Sequence, residues 1–162
     1  MKKKLFILAA SLGKTLKQKK MKIATAESCT GGGIAQALTD VSGSSAWFDR
    51  GFVSYSNLAK VQMLQVKQAS LDKHGAVSKQ VAIEMVEGAL VNSNAELAIS
   101  VTGIAGPGGG SSDKPVGTVY IACKTKGENS VCMKCFFLGD RFLIRQQTIQ
   151  QALINCIKQC AE

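Results

Sequence analysis

Histidine, proline and aromatic side chains are what this 162-residue sequence has least of: one histidine, two prolines and 6% Phe, Trp and Tyr. A single histidine, His74, leaves one candidate for the imidazole on which most serine nucleophiles rely. So few aromatics, with no basic stripe beyond the N-terminus, argue against a nucleic-acid surface built on base stacking. No stretch approaches the roughly 18 apolar residues of a membrane-spanning helix, and no internal repeat is visible. Acidic residues are missing from positions 1 to 22, which hold eight lysines. That segment carries most of the formal charge of +9, because the remainder has twelve basic against eleven acidic residues. A nearly neutral body gives no reason to expect nucleic acid or a membrane as partner.

What the chain does have is apolar mass. With 46% hydrophobic residues it can bury a core of useful size, and a single domain over residues 1–162 is expected. Its start, Met1-Lys2-Lys3-Lys4-Leu5-Phe6-Ile7-Leu8-Ala9-Ala10, imitates a secretion signal. Against cleavage, Leu5, Leu8 or Ala9, Leu12 and Leu16 recur at three- and four-residue intervals past Lys14. That is the pattern of an amphipathic helix, placed at residues 4 to 18 of the lysine-rich segment 1–20. The protein is read as cytoplasmic.

Six cysteines are many for this length, and Cys132-x-x-Cys135 followed by Cys156-x-x-x-Cys160 raises the question of zinc. Positions three apart in a strand point to opposite faces, so the first pair converges on one ion only if the strand is broken. The second pair shares a helix face and serves equally well in a core. Reduced thiols and no metal are the expectation.

The stretch Ala26-Glu27-Ser28-Cys29-Thr30-Gly31-Gly32-Gly33 follows a short apolar run and precedes Ile34, Ala35 and Leu38 at helical spacing, so it reads as a strand-to-helix turn. The free N–H groups of a helix N-terminus favour an anion there, either a bound phosphate or an oxyanion formed during a reaction. Ser28 and Cys29 are both potential nucleophiles inside it.

Further along, Trp47 to Tyr55 has strand composition with Gly51 as a bulge, and Ser56 or Asn57 caps a helix to Leu64. Residues 66–77 read as a connection, and Ser78 starts a long helix ending near Asn92. Glu96 to Thr102 is a nearly continuous apolar run, the mark of a strand buried on both faces. The loop Gly103 to Pro115 contains both prolines; loops of this length in compact domains are commonly functional. Strands at 116–124 and 130–137 form a hairpin around Lys126-Gly127-Glu128, and a helix closes the chain from Arg141 to Cys160. These elements give an α/β fold: a three-layer α/β/α sandwich with a mixed, mostly parallel five-stranded sheet.

A serine hydroxyl needs a base. His74 lies in a connecting segment before a glycine, where histidine is commonly structural. Lys60 sits on the first turn of a helix whose preceding strand ends in Tyr55, so both polar tips reach one end of the sheet. Partial burial would lower its pKa and make it a base, while a solvated lysine is the plainer reading.

Seven motifs, taken in order, resemble the successive signatures of the CinA C-terminal family. They are Ala26-Glu27-Ser28-Cys29-Thr30-Gly31-Gly32, Gly43-Ser44-Ser45-x-Trp47-Phe48, Tyr55-Ser56-Asn57-x-x-Lys60, His74-Gly75-Ala76-Val77-Ser78, Thr102-Gly103-Ile104-Ala105-Gly106-Pro107-x-Gly109-Gly110, Lys114-Pro115-Val116-Gly117-Thr118 and Gly139-Asp140-Arg141. The characterised members of that family are nicotinamide-nucleotide amidohydrolases, which convert nicotinamide mononucleotide and water to nicotinate mononucleotide and ammonia. The resemblance implies Ser28 as nucleophile, Lys60 as its base and Tyr55 as the partner that orients the lysine or relays the proton. It implies backbone donors at Cys29, Thr30 and Gly31 for the oxyanion, and Thr102, Gly103 and Arg141 around the substrate, Arg141 suiting a phosphate or carboxylate. Cys29 is then a packed residue rather than the nucleophile.

No cofactor or metal is implied, and a homodimer is admitted by analogy alone. Longer members carry an additional N-terminal domain linked to pyrophosphatase chemistry; this length leaves no room for it, and that activity is not expected. Gly33 and Gly108-Gly109-Gly110 depart from the motifs and read as added flexibility. The rival readings are a nucleotide-binding or competence-associated module without turnover, and a zinc-dependent amidase.

Overall fold

The computed structural model of the protein describes residues 1–161. Its elements in chain order are α1 (Lys2–Lys19), β1 (Ile23–Glu27), α2 (Gly33–Thr39), a 3-10 turn (Ser44–Ala46), β2 (Phe48–Val53), α3 (Asn57–Leu64), α4 (Gln68–His74), α5 (Lys79–Val91), β3 (Leu97–Gly103), β4 (Thr118–Thr125), β5 (Val131–Phe136) and α6 (Arg141–Ala161). The sheet has five strands in the order β2-β1-β3-β4-β5. β1 pairs in parallel with both β2 and β3, while β3 with β4 and β4 with β5 pair antiparallel, so all strands except β4 run in one direction. This is the mixed sheet expected from strand–helix alternation ending in a hairpin.

Helices cover both faces. On one side α1, α2 and α6 close over Ile23, Leu97, Ile99, Val101 and Ile121. On the other, α5 lies across the sheet over Ala26, Ala98 and Ala122, with α3 and α4 packed against it. Small residues on that face let α5 approach closely. Gly88 of α5 serves the contact with α3 instead: a Cβ there would lie 1.9 Å from the carbonyl oxygen of Leu64.

The segment that imitates a signal is part of the core. Leu5, Ala9, Leu12 and Leu16 of α1 are buried, and Gly13 leaves space for Trp47, whose ring would sit 2.6 Å from a Cβ at that position. No helix among the described residues is long and apolar enough to cross a membrane.

Two local expectations fail. The stretch 66–77 contains a helix, α4, which has no side-chain cap and only seven residues, too short for periodicity to mark it. Gly51 is not a bulge. The register skips Asp49 instead, Ile23 facing Phe48 and Ala24 facing Arg50, while Gly51 pairs regularly with Thr25. Glycine is used there for space, since a Cβ would come within 2.8 Å of Thr25 Oγ1.

β5 is unbroken, so Cys132 turns toward the α5 side and Cys135 toward the α6 side. All six cysteines are free.

Candidate active site

Three parallel strands end side by side. Glu27 closes β1 opposite Val53 of β2 and Val101 of β3, so the next residues of each strand emerge at one edge of the sheet. Backbone hydrogen bonds extend the pairing just beyond the strands, Ser28 N to Val101 O at 3.1 Å and Ser54 N to Glu27 O at 2.9 Å. Carboxyl ends of parallel strands are the usual place for a ligand in such sheets. A cavity of about 200 Å³ opens there.

Of the residues singled out from the sequence, Ser28, Cys29, Tyr55, Lys60, Thr102, Gly103 and Arg141 all line this cavity. Thr30 and Gly31 do not; Thr30 is fully buried behind the wall, its hydroxyl bonded to Glu27. Asn57, Ala76, Val77 and Ala105 line it without having been expected as site residues, although all four lie within the motifs quoted above. His74 ends α4, exposed, and meets Lys114 through its backbone carbonyl at 2.7 Å; it does not line the cavity.

Lys60 reaches the serine because α3 starts where it does. Ser56 caps the helix by accepting from the Ala59 N–H at 3.0 Å, and Lys60 stands one turn in, aimed at the end of β1. Its side chain is 1% exposed, and Nζ donates to Ser28 Oγ at 3.0 Å, to Ser54 O at 3.0 Å and to Tyr55 O at 3.2 Å. Burial pushes its pKa below the ordinary 10.5, only partly opposed by the neighbouring Cys29. Neither ion pair among the described residues involves it. With two N–H groups committed to carbonyls, the third direction faces Ser28, and in the neutral amine it is a lone pair able to accept the hydroxyl proton. The buried position replaces the solvated lysine of the plainer reading.

Tyr55 meets the lysine through its backbone. Its side chain is 60% exposed, and the hydroxyl accepts from Arg141 at 3.1 Å. Arg141 also donates to Gly106 O at 2.8 Å, tying the start of α6 to the glycine-rich loop. Cys29 is 6% exposed, with its thiol pushed up to about 12 by burial, so it is a neutral packed group near pH 7. Thr102 gives its hydroxyl to Ala76 O at 2.8 Å.

The helix N-terminus is already occupied. Glu27, fully buried, accepts from Thr30 Oγ1 at 2.6 Å, from Ile34 N at 2.9 Å and from Ala35 N at 2.8 Å. The first turn of α2 therefore holds the carboxylate of its own chain rather than a phosphate. The Gly31 N–H donates to Ser28 O at 3.1 Å, which removes it from the set of free donors. Gly33 does not add flexibility; it is the point where α6 touches the turn, with Ile149 Cδ1 2.5 Å from where a Cβ would stand. Arg145, one turn beyond Arg141, donates to Cys29 O at 3.2 Å and to Thr30 O at 2.9 Å. Glu27 and Arg145 escape a sequence reading because each acts on backbone distant in sequence or hidden inside a turn; the Arg141-x-x-x-Arg145 spacing is the one trace of the latter.

Known proteins resemble this chain in sequence and in fold. The family model described as the CinA C-terminal domain matches residues 6–160. "Nicotinamide-nucleotide amidohydrolase PncC" of Escherichia coli (strain K12) is 51% identical over 147 residues, 90% of this chain and 88% of that protein. A "CinA-like protein" of Syntrophobacter fumaroxidans is 50% identical across 88% of this chain but only 34% of its own greater length. Among solved structures, the competence/damage inducible protein CihA from Agrobacterium tumefaciens superposes with a TM-score of 0.94 at 44% identity, covering 98% of this chain and 96% of that one. With a family model spanning nearly the whole sequence and relatives at this level of identity, the chain belongs to the CinA C-terminal domain family.

Proposed function

We propose that the chain is an amidohydrolase that takes nicotinamide mononucleotide and water to nicotinate mononucleotide and ammonia, in the recycling of pyridine nucleotides. The nicotinamide-nucleotide amidohydrolase of Escherichia coli, 51% identical to this chain, supports the substrate. The observation that carries the mechanism is the 3.0 Å contact between a buried lysine amine and Ser28 Oγ. Neutral Lys60 takes the proton from Ser28 as Oγ bonds to the carboxamide carbon, and the carbonyl electron pair moves onto oxygen. The resulting oxyanion lies near the start of the turn, where the Cys29 N–H donates to no other residue among those described. Collapse breaks the C–N bond, and the Lys60 ammonium passes its proton to the leaving nitrogen, releasing ammonia. Water, deprotonated by the same amine, then attacks the acyl-enzyme and returns Ser28.

Arg141, at the mouth with Tyr55 on its guanidinium, takes an anionic group of the substrate. Residues 1–162 act as one catalytic domain in the cytosol, a setting that suits six free thiols.

The test is ammonia release from nicotinamide mononucleotide by the purified protein beside Ser28→Ala and Lys60→Met. Both variants are expected to lose at least ~10⁴-fold in kcat. No release by the wild type would leave the non-catalytic, competence-associated reading. Activity surviving Ser28→Ala would remove the nucleophile.

A further inference from the structure

One ridge of α6 is laid along the Ser28 turn. Arg141, Arg145 and Ile149 stand four residues apart on one helix face, contacting in turn the cavity mouth, the Cys29 and Thr30 carbonyls, and Gly33. The middle residue has no part in the reaction scheme above. Its guanidinium is half-buried and fixed by two carbonyls of the Ser28 turn.

The peptide bonds it holds run to the nucleophile. Arg145 Nη2 donates to Thr30 O at 2.9 Å. The same peptide unit ends in the Gly31 N–H, which donates to Ser28 O at 3.1 Å. That carbonyl in turn belongs to the peptide whose N–H is that of Cys29, a residue lining the cavity beside Ser28. In a trans peptide the C=O and N–H point in opposite directions, so pinning the Ser28 carbonyl sets where the Cys29 N–H points. Each hydrogen bond in such a series polarises the next, so a cationic donor at its head also strengthens the N–H at its far end. A second bond, from Arg145 Nε to Cys29 O at 3.2 Å, fixes the following peptide.

We propose that Arg145 is a positioning residue that aligns and polarises the Cys29 N–H as donor to the tetrahedral oxyanion on Ser28. The proposal rests on the Ser28 reaction above, but not on the identity of the amide substrate. Lysine does not replace arginine here, because its donors all sit on one nitrogen and do not reproduce the separated Nε and Nη2 that reach the Cys29 and Thr30 carbonyls.

The experiment has two readouts on wild type, Arg145→Gln, Arg145→Lys and Arg145→Ala, each first shown by circular dichroism to be folded at the assay temperature. The first is kcat and KM for nicotinamide mononucleotide. The second is the rate at which an alkyl fluorophosphonate modifies Ser28, Oγ bonding to phosphorus as fluoride leaves with its charge and the phosphoryl oxygen taking the oxyanion position. Arg145→Gln and Arg145→Lys are expected to lose about 10- to 100-fold in kcat, with KM within about threefold, and to slow the labelling by a similar factor. Millimolar guanidinium is expected to restore part of the rate to Arg145→Ala. Labelling at the wild-type rate in Arg145→Gln, or a loss confined to KM, overturns the proposal. If the wild type releases no ammonia while Ser28 labelling still depends on Arg145, the substrate reading falls and this one stands.

Discussion

The amine of Lys60 lies 3.0 Å from the hydroxyl oxygen of Ser28, and the acceptors around it are two backbone carbonyls rather than a carboxylate. A lysine so placed has little to hold its proton. Its pKa is lowered by burial, and an amine below its ordinary value is what a serine hydroxyl needs from a base.

Activity is therefore expected to rise with pH along a single limb as Lys60 loses its proton, with the midpoint below the ordinary lysine value of 10.5. Lys60→Arg keeps the charge but stays protonated across the accessible range, so the limb and the activity disappear together. A pH profile of kcat/KM checks this, and a rate that falls with pH between neutrality and 10.5 would contradict it.

The same lowered pKa appears in stability with a defined sign. Between the folded value and 10.5 the unfolded chain binds the extra proton, so this group's contribution to stability rises with pH through that window. Below the folded value its cost is present in full. Urea unfolding of wild type and Lys60→Met over a pH series should show the wild type gaining on the variant as pH climbs toward 10.5, and level at lower pH. A gain in the other direction would mean that the folded amine is held charged.

Cys29→Ala is expected to keep its rate within a few-fold of wild type, since the thiol, pushed up to about 12, is no nucleophile near pH 7. The backbone N–H at that position is unchanged by the substitution. Iodoacetamide should likewise leave the activity intact under native conditions; loss of activity with modification of Cys29 would reassign the attacking atom.

Glu27→Ala removes the acceptor of three hydrogen bonds at the start of α2. Leaving buried donors unpaired puts the loss on the order of 3 kcal/mol. For a chain of this size each kcal/mol is ~2–4 °C in Tm, which a thermal melt resolves easily. A change under one degree would mean that water takes over the capping.

The strand-to-helix turn at Ser28, the cap at Ser56 and the seven lining residues from Ser28 to Arg141 were legible because each depends on neighbours in sequence: an apolar run, a capping side chain, a motif. Glu27 lies within a recognisable motif, yet its role is not legible there, because nothing in a one-dimensional pattern says that a carboxylate folds forward onto amides seven and eight residues later. From the sequence the helix N-terminus therefore reads as open to an external anion, a phosphate or an oxyanion, whereas its own chain caps it. Gly33 and Gly51 read as freedom and a bulge; both are places where a side chain from another element needs the space. α4 was missed for the opposite reason, being held by α5 rather than by any periodicity of its own.

The self-capped helix has one more consequence. With its dipole met by Glu27, α2 offers no field to an incoming anion, and Lys60 and Arg141 are the only formally charged side chains lining the cavity among the described residues. If Lys60 works as a free amine, charge recognition falls on a single exposed guanidinium at the rim, within reach of dissolved ions. Added salt should then weaken capture of an anionic substrate while leaving turnover of the captured molecule alone, dividing the protein into an ionic entrance and a nearly salt-blind interior.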